Sequence, residues 1–167
     1  MNNKVETVLE YDKIKSILME YAVSSLAKEK IARMRPSSDE DLVKTLQRET
    51  SEGLALLNSG IKIPLGGIKD IRNSLNLAKL GSVLSPGELL DIASTMRAAR
   101  LIKSAWNETK LADSVIINEI VNGLHIFQSL EEKIEKAIVS DEEIADNASP
   151  KLSSIRRQKK NLAQSIR

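Results

Sequence analysis

Apolar residues along the chain recur three and four positions apart, the spacing that lines one face of an α-helix. Asp12 to Tyr21 puts Ile14, Ile17, Leu18 and Tyr21 on such a face, after a short helical lead-in from Val5 to Leu9. Ser24 or Ser25 caps a second helix through Ile31 and Met34. Pro36 ends it, because a proline disfavours the helical region at the preceding Arg35. A third helix is expected from Ser38, where Ser-x-x-Asp has the form of a capping box, to Asn58. It carries Leu42, Val43, Leu46, Leu54 and Leu57, with Gly60 as its stop.

Ile61 to Gly67 breaks the pattern and reads as a loop extended around Pro64, followed by a helix from Ile68 to Leu80 that Gly81 ends. Ser85-Pro86-Gly87-Glu88 is the clearest start signal: Ser as N-cap, Pro at N1 where no N–H is needed, and Glu at N3 reaching back. The helix it opens should run to Trp106. Leu89, Ile92, Met96, Ala99 and Trp106 form one stripe, and Leu90, Leu101 and Ala105 lie opposite. Apolar on two sides, this helix is expected at the centre of the core. A further helix is expected from Leu111 to Val121, ending near Gly123. Ser129-Leu-Glu-Glu132 would cap another that carries Ile134 and Ile138. Residues 140–148 form a polar connector in which only Ile144 and Ala145 look buriable, with room for a short strand-like stretch.

The last stretch has a beginning and no end. Ser149 and Pro150 supply a cap and an N1 proline, and neither Gly nor Pro follows before Arg167, so the chain reads as a piece of something longer. At 100° per residue Leu152, Ile155, Leu162 and Ile166 share a narrow seam, with Lys159 at the missing position, a pattern that pairs one long helix with another. Arg156, Lys160 and Arg167 fall on a second line beside it. They are candidate phosphate-backbone contacts, since cations there bind by releasing counterions and read no sequence. A solvated helix face whose acidic partners lie elsewhere accounts for the same charges.

Composition narrows this picture. Apolar residues make up 41% but aromatics only 2%, so the core must be built from Leu, Ile, Val, Ala and Met, which favours packed helices over a β-sandwich. At 167 residues one domain is expected. The absence of cysteine removes disulfides and thiolate metal sites, which suits a cytoplasmic protein. There is neither a signal peptide at Met1 nor a window apolar enough to span a membrane. The net charge of +2 says little, but the acid-rich segment from Glu131 to Asp146 hands over to six basic residues and no acid between Lys151 and Arg167.

No reaction centre is apparent. A phosphate loop needs glycines followed by Lys-Ser/Thr, and none occurs. Gly66-Gly67 could offer amides to an anion at a helix start, but a tight loop that needs small residues is the stronger reading. Asp141, Glu142, Glu143 and Asp146 lack the glycine and terminal Glu of a calcium loop. His125 has no nucleophile near it in sequence, and Trp106 reads as a core or helix-end anchor. Catalytic, cofactor-binding and metal residues are therefore none.

The run Glu143-Ile-Ala-Asp-Asn-Ala-Ser149-Pro-Lys-Leu152-Ser-Ser-Ile155-Arg156 resembles the passage in MutS proteins from the helical core into the long lever helix. Leu9-Glu-Tyr-Asp-Lys-Ile14, Pro64-Leu-Gly-Gly-Ile-Lys-Asp-Ile71 and Gly81-Ser-Val-Leu-Ser-Pro-Gly-Glu-Leu-Leu-Asp-Ile-Ala93 match in the same order. Together they resemble the start of the bacterial MutS-like endonucleases that end in an Smr domain. The resemblance implies a protein without the mismatch-recognition and connector domains of true MutS, so that core and lever begin close to Met1. It implies a dimeric ATPase that uses ATP and magnesium, binds branched or double-stranded DNA, suppresses recombination, cuts nucleic acid through the Smr domain and is linked to the rescue of stalled ribosomes. The ATP loop, the magnesium-binding acids, the clamp and the Smr domain have no match here, and no catalytic residue carries over.

The expectation is an all-α helical bundle of the MutS core and lever type: residues 1–139 as core, 140–148 as connector and 149–167 as the root of a truncated lever helix. Its role is to transmit ATP-driven movement to a DNA clamp, in a homodimer without membrane contact. The alternative is a stand-alone helical module that docks a partner helix through the Leu152/Ile155/Leu162/Ile166 seam. Direct nucleic-acid binding by the basic line is a third reading.

Overall fold

The unpaired amides at a helix start must find acceptors, and short polar side chains provide them wherever the chain turns into a helix. In the computed structural model, which describes residues 7–109 and 114–165, eight helices follow this logic to different degrees. They are α1 (Tyr11–Tyr21), α2 (Ser25–Ala32), α3 (Glu40–Asn58), α4 (Arg72–Lys79), α5 (Pro86–Asn107), α6 (Val115–Asn122), α7 (Gln128–Ala137) and α8 (Pro150–Ser165). The class is all-α. Among the described residues the only β pairing is an isolated antiparallel bridge between Ile138 and Ile144. The first two residues of the expected lead-in from Val5 to Leu9 and the start of the helix expected from Leu111 fall outside the described residues.

Several starts match their local signals. Ser24 Oγ accepts from Ala27 N at 3.1 Å. At the head of α5, Ser85 N donates to Glu88 Oε2 at 2.8 Å and Glu88 N to Ser85 Oγ at 3.3 Å, the reciprocal box expected there. These bonds, the Ser85 amide foremost, hold the Glu88 carboxyl below its usual range.

Other starts are displaced. The cap of α3 is Asp39, not Ser38: its carboxylate accepts from both Asp41 N and Leu42 N at 3.1 Å, satisfying two orphan amides at once. The helix expected at Ile68 begins at Arg72, after Asp70 Oδ1 takes the Arg72 amide at 3.2 Å and the Arg72 guanidinium grips the same carboxylate. That fork lowers the Asp70 pKa to about 2. Ser129 does not cap α7. The Phe127 carbonyl already accepts from Leu130 and Glu131, so the helix is under way before Ser129 is reached.

The chain folds into two compact units, each discontinuous in sequence. The first takes the described residues up to Lys69 and those of Ala98–His125. The second takes Asp70–Arg97 and the described residues from Ile126 onward. In the first unit α1 packs on α2 and α3 on α6. In the second, Ile92, Ala93, Ile134 and Ile138 form a buried cluster on which Leu84, Leu89 and Met96 pack. As its two-sided apolar pattern predicts, α5 supplies most of the buried apolar side chains among the described residues: Ile92, Ala93, Ala98 and Trp106.

Candidate functional site: the root of the last helix

The segment joining α7 to α8 is more ordered than its polar composition implies. After α7 the chain turns back in a tight hairpin: Val139 N donates to Glu143 O at 2.9 Å and Ala145 N to Ala137 O at 2.8 Å, around the Ile138–Ile144 bridge. This is the strand-like stretch expected in the connector. At its tip Asp141 lies over the first turn of α5, where a Cβ added to Gly87 would sit 3.6 Å from Asp141 Cβ. A carboxylate beside a helix N-terminus is favourably placed in the helix field, which gives Asp141 a role without a metal.

Ser149 then opens α8, its Oγ accepting from Leu152 N at 3.1 Å, with Pro150 as the first helical residue. Seven residues into the helix region Arg156 reaches back. Its Nη1 donates to the Ile144 carbonyl at 2.9 Å and pairs with the Asp146 carboxylate. Side chains on a helix lean towards its N-terminus, so this reach needs no distortion. The last helix is therefore joined to residues 140–148 by the chain entering at its cap and, a second time, by Arg156.

Of the pairing seam, Leu152 is half-buried, whereas Ile155 is 51% and Leu162 65% exposed. Ile166 lies outside the described residues. On the basic line Arg156 is engaged as described, Lys160 is exposed, and Arg167 lies outside the described residues. Lys151, Arg157 and Lys159 are also exposed on α8.

Elsewhere Gly66-Gly67 does not open a helix. Gly67 adopts a φ of 84°, which a glycine takes at no steric cost, and α4 starts only at Arg72. His125 is exposed, with Nδ1 3.1 Å from the Gly123 carbonyl oxygen. Trp106 is buried and donates its indole N–H to Asn118 Oδ1 at 3.1 Å, the anchoring role its position predicts. An open groove of about 380 Å³ beside Leu18, Tyr21 and Ile31 is apolar and gathers no set of reactive groups. Among the described residues no group of three or more His, Cys, Asp or Glu could hold a metal ion, and no helix is long and apolar enough to cross a membrane.

One fixture escaped the sequence reading. Glu52 on α3 is buried, and its Oε2 accepts from Ile116 N at 2.9 Å and Ile117 N at 3.0 Å, capping α6 from another helix. At the other end of α6, Lys103 Nζ donates to the carbonyls of Asn122 and Leu124 at 3.2 and 2.8 Å. An anion at the N-terminus and a cation at the C-terminus both complement the helix dipole. Neither contact has a local signature. On the helical wheel of α3 Glu52 lies opposite Leu46, Leu54 and Leu57, so the apolar spacing gave no hint of it.

What this geometry defines is an all-helical segment whose last helix is tied at its root, with Ile155 and Leu162 exposed along it. Comparison with known proteins gives the class a particular member. No family model matches the chain. It is 43% identical over 169 aligned positions to endonuclease MutS2 of Ruminiclostridium cellulolyticum, covering 100% of this chain and 21% of that protein. The corresponding figures are 41% over 169 positions, 100% and 21% for endonuclease MutS2 of Acetivibrio thermocellus. For endonuclease MutS2 of Clostridioides difficile they are 38% over 169 positions, 100% and 21%. The chain belongs to the MutS2 family, and it spans about a fifth (21%) of the length of these curated relatives.

Proposed function

We propose that this chain is the non-catalytic helical core and lever root of a MutS2-family protein, and that its own work is mechanical. Residues 1–139 form the core, 140–148 the connector and 149–167 the root of the lever. The observation that supports this reading is the contrast along α8: capped and tied at Ser149 and Arg156, with Ile155 exposed beside the tie and Leu162 exposed beyond it. A helix is a stiff arm, rising ~1.5 Å per residue, so a small rotation at a fastened root becomes a larger displacement at the far end. The complete protein, in this proposal, is a cytoplasmic homodimeric ATPase and endonuclease that uses ATP and magnesium on branched or double-stranded DNA. The arm couples its ATP state to a clamp on that DNA, with roles in suppressing recombination or in ribosome rescue.

The test is a helix-breaking Leu162→Pro in the complete protein. Mechanical coupling predicts that ATP ceases to modulate DNA binding while binding without nucleotide persists. Unchanged ATP dependence refutes it.

The exposed Ile155 and Leu162 also favour a second reading, a module that docks a partner helix through this seam. The two differ in what the gene encodes beyond Arg167, since the mechanical reading requires a Gly-x-x-x-x-Gly-Lys-Ser/Thr loop downstream. Phosphate contact by Arg156, Lys160 and Arg167 is a further proposal, in which DNA must compete with Asp146 for Arg156. It predicts salt-sensitive binding that falls when these three residues are neutralised.

A further inference from the structure

A helix held only by its cap is a pivot, because a single point fixes position and leaves direction free. Two points separated along the axis fix direction as well. Ser149 is the first point on α8. Arg156 is the second, roughly 10 Å further along at 1.5 Å per residue. Its guanidinium meets two groups of the connector at once, the Ile144 carbonyl and the Asp146 carboxylate.

The anchor it grips is itself braced. Ile144 is paired to Ile138, which belongs to the buried cluster with Ile92, Ala93 and Ile134, and Asp141 of the same hairpin rests on the first turn of α5. The connection thus runs from buried core through the hairpin carbonyl to the second turn of α8. Every group in it lies within the second unit.

We propose that Arg156 is a positioning residue: a latch between α8 and the Ile138–Ile144 hairpin that sets the direction in which the last helix leaves the unit. The two contacts divide the work. The carbonyl bond ties Arg156 to the ordered hairpin. The Asp146 pair, whose carboxylate side chain is 85% exposed, is the part that solvent ions can weaken. Both partners are met by the one nitrogen Nη1, so lysine, which keeps the charge but carries a more strongly hydrated head on a differently shaped stem, should hold the same two groups less firmly. The latch derives its use from the lever reading, but its geometry does not depend on that reading.

Spin labels at Lys133 on α7 and Gln158 on α8, in a cysteine-free background of the complete protein, report the direction of α8 through the inter-label distance distribution. The wild type should give one narrow distribution. Arg156→Ala should at least roughly double its width, and Arg156→Lys should fall between. Amide exchange over Leu152–Ile155 should rise about five-fold in Arg156→Ala, as expected when a local opening loses one modest contact. Unchanged helix content by circular dichroism separates a freed helix from a melted one. An Arg156→Ala distribution as narrow as the wild type overturns the proposal, whatever ATP-dependent DNA binding does. Conversely, a broadened distribution with intact ATP coupling sustains the latch and counts against the lever.

Discussion

The two units of this protein are held together by different physics. In the second, Ile92, Ala93, Ile134 and Ile138 make a continuous apolar cluster, with Leu84, Leu89 and Met96 packed against it. In the first, the buried apolar side chains among the described residues are Ala98, Trp106 and Val121, and α6 is also held by polar grips: Glu52 at its start, Lys103 at its end, and Asn118 bonded to the Trp106 indole. Apolar packing is non-directional and tolerates small shifts, whereas hydrogen bonds to backbone amides require a particular approach. The second unit should therefore fail by cavity formation and the first by loss of single polar groups.

The sharpest way to break the contrast is Ile134→Ala. Truncating a side chain that is 8% exposed within the cluster should cost about 3 kcal/mol, read as lost protection from hydrogen exchange over α5 and α7. Next comes Glu52→Ala, which strands the Ile116 and Ile117 amides and should cost about 2 kcal/mol; Glu52→Gln, retaining an acceptor, should lose less. If Glu52→Ala unfolds no more readily than an exposed α3 substitution such as Lys44→Ala, polar fastening is not what holds the first unit. Lys103→Met should cost about 1 kcal/mol and fray the last turn of α6 first, visible in the Asn122 to Leu124 amides.

The smallest effect is on acidification. Asp70 and Glu88 have carboxyl pKa values lowered in the folded state, by the Arg72 guanidinium and the Ser85 amide respectively. Groups lowered in this way stabilise the fold above their unfolded pKa and lose that contribution as pH falls through the folded value. For Asp70 the window runs from 3.8 down to about 2. Amide titrations of Arg72 and Glu88 should both have midpoints below the ordinary carboxylate range, and a midpoint at the ordinary value for either would remove its cap from this account.

Features whose cause lies within a few residues could be read from the sequence. Ser85-Pro-Gly-Glu, Ser24 and Ser149-Pro each place donor and acceptor one turn apart, and each behaves as written. The two-sided pattern of α5 also identified the core helix. Where several polar residues stood together, the choice among them was not local: Asp39 won over Ser38 because one carboxylate serves two amides. The Glu52 cap joins residues 64 apart in sequence, and no spacing rule reaches that far. At the site, helical spacing gave Arg156 only an angle beside the seam. An angle does not say what a flexible side chain meets, and Asp146 with the Ile144 carbonyl were waiting within its reach.

Because Glu52 and its partner amide at Ile116 are 64 residues apart, the grip on α6 has a history as well as a geometry. At synthesis rates of ~5–20 residues per second, roughly 3 to 13 s separate the appearance of one partner from that of the other. For most of that interval α3 has been synthesised and its carboxylate lacks the α6 amides that it will accept from. The first unit therefore closes late on the ribosome, and an early-emerging helix must stay soluble while it waits, which the charges along α3 equip it to do.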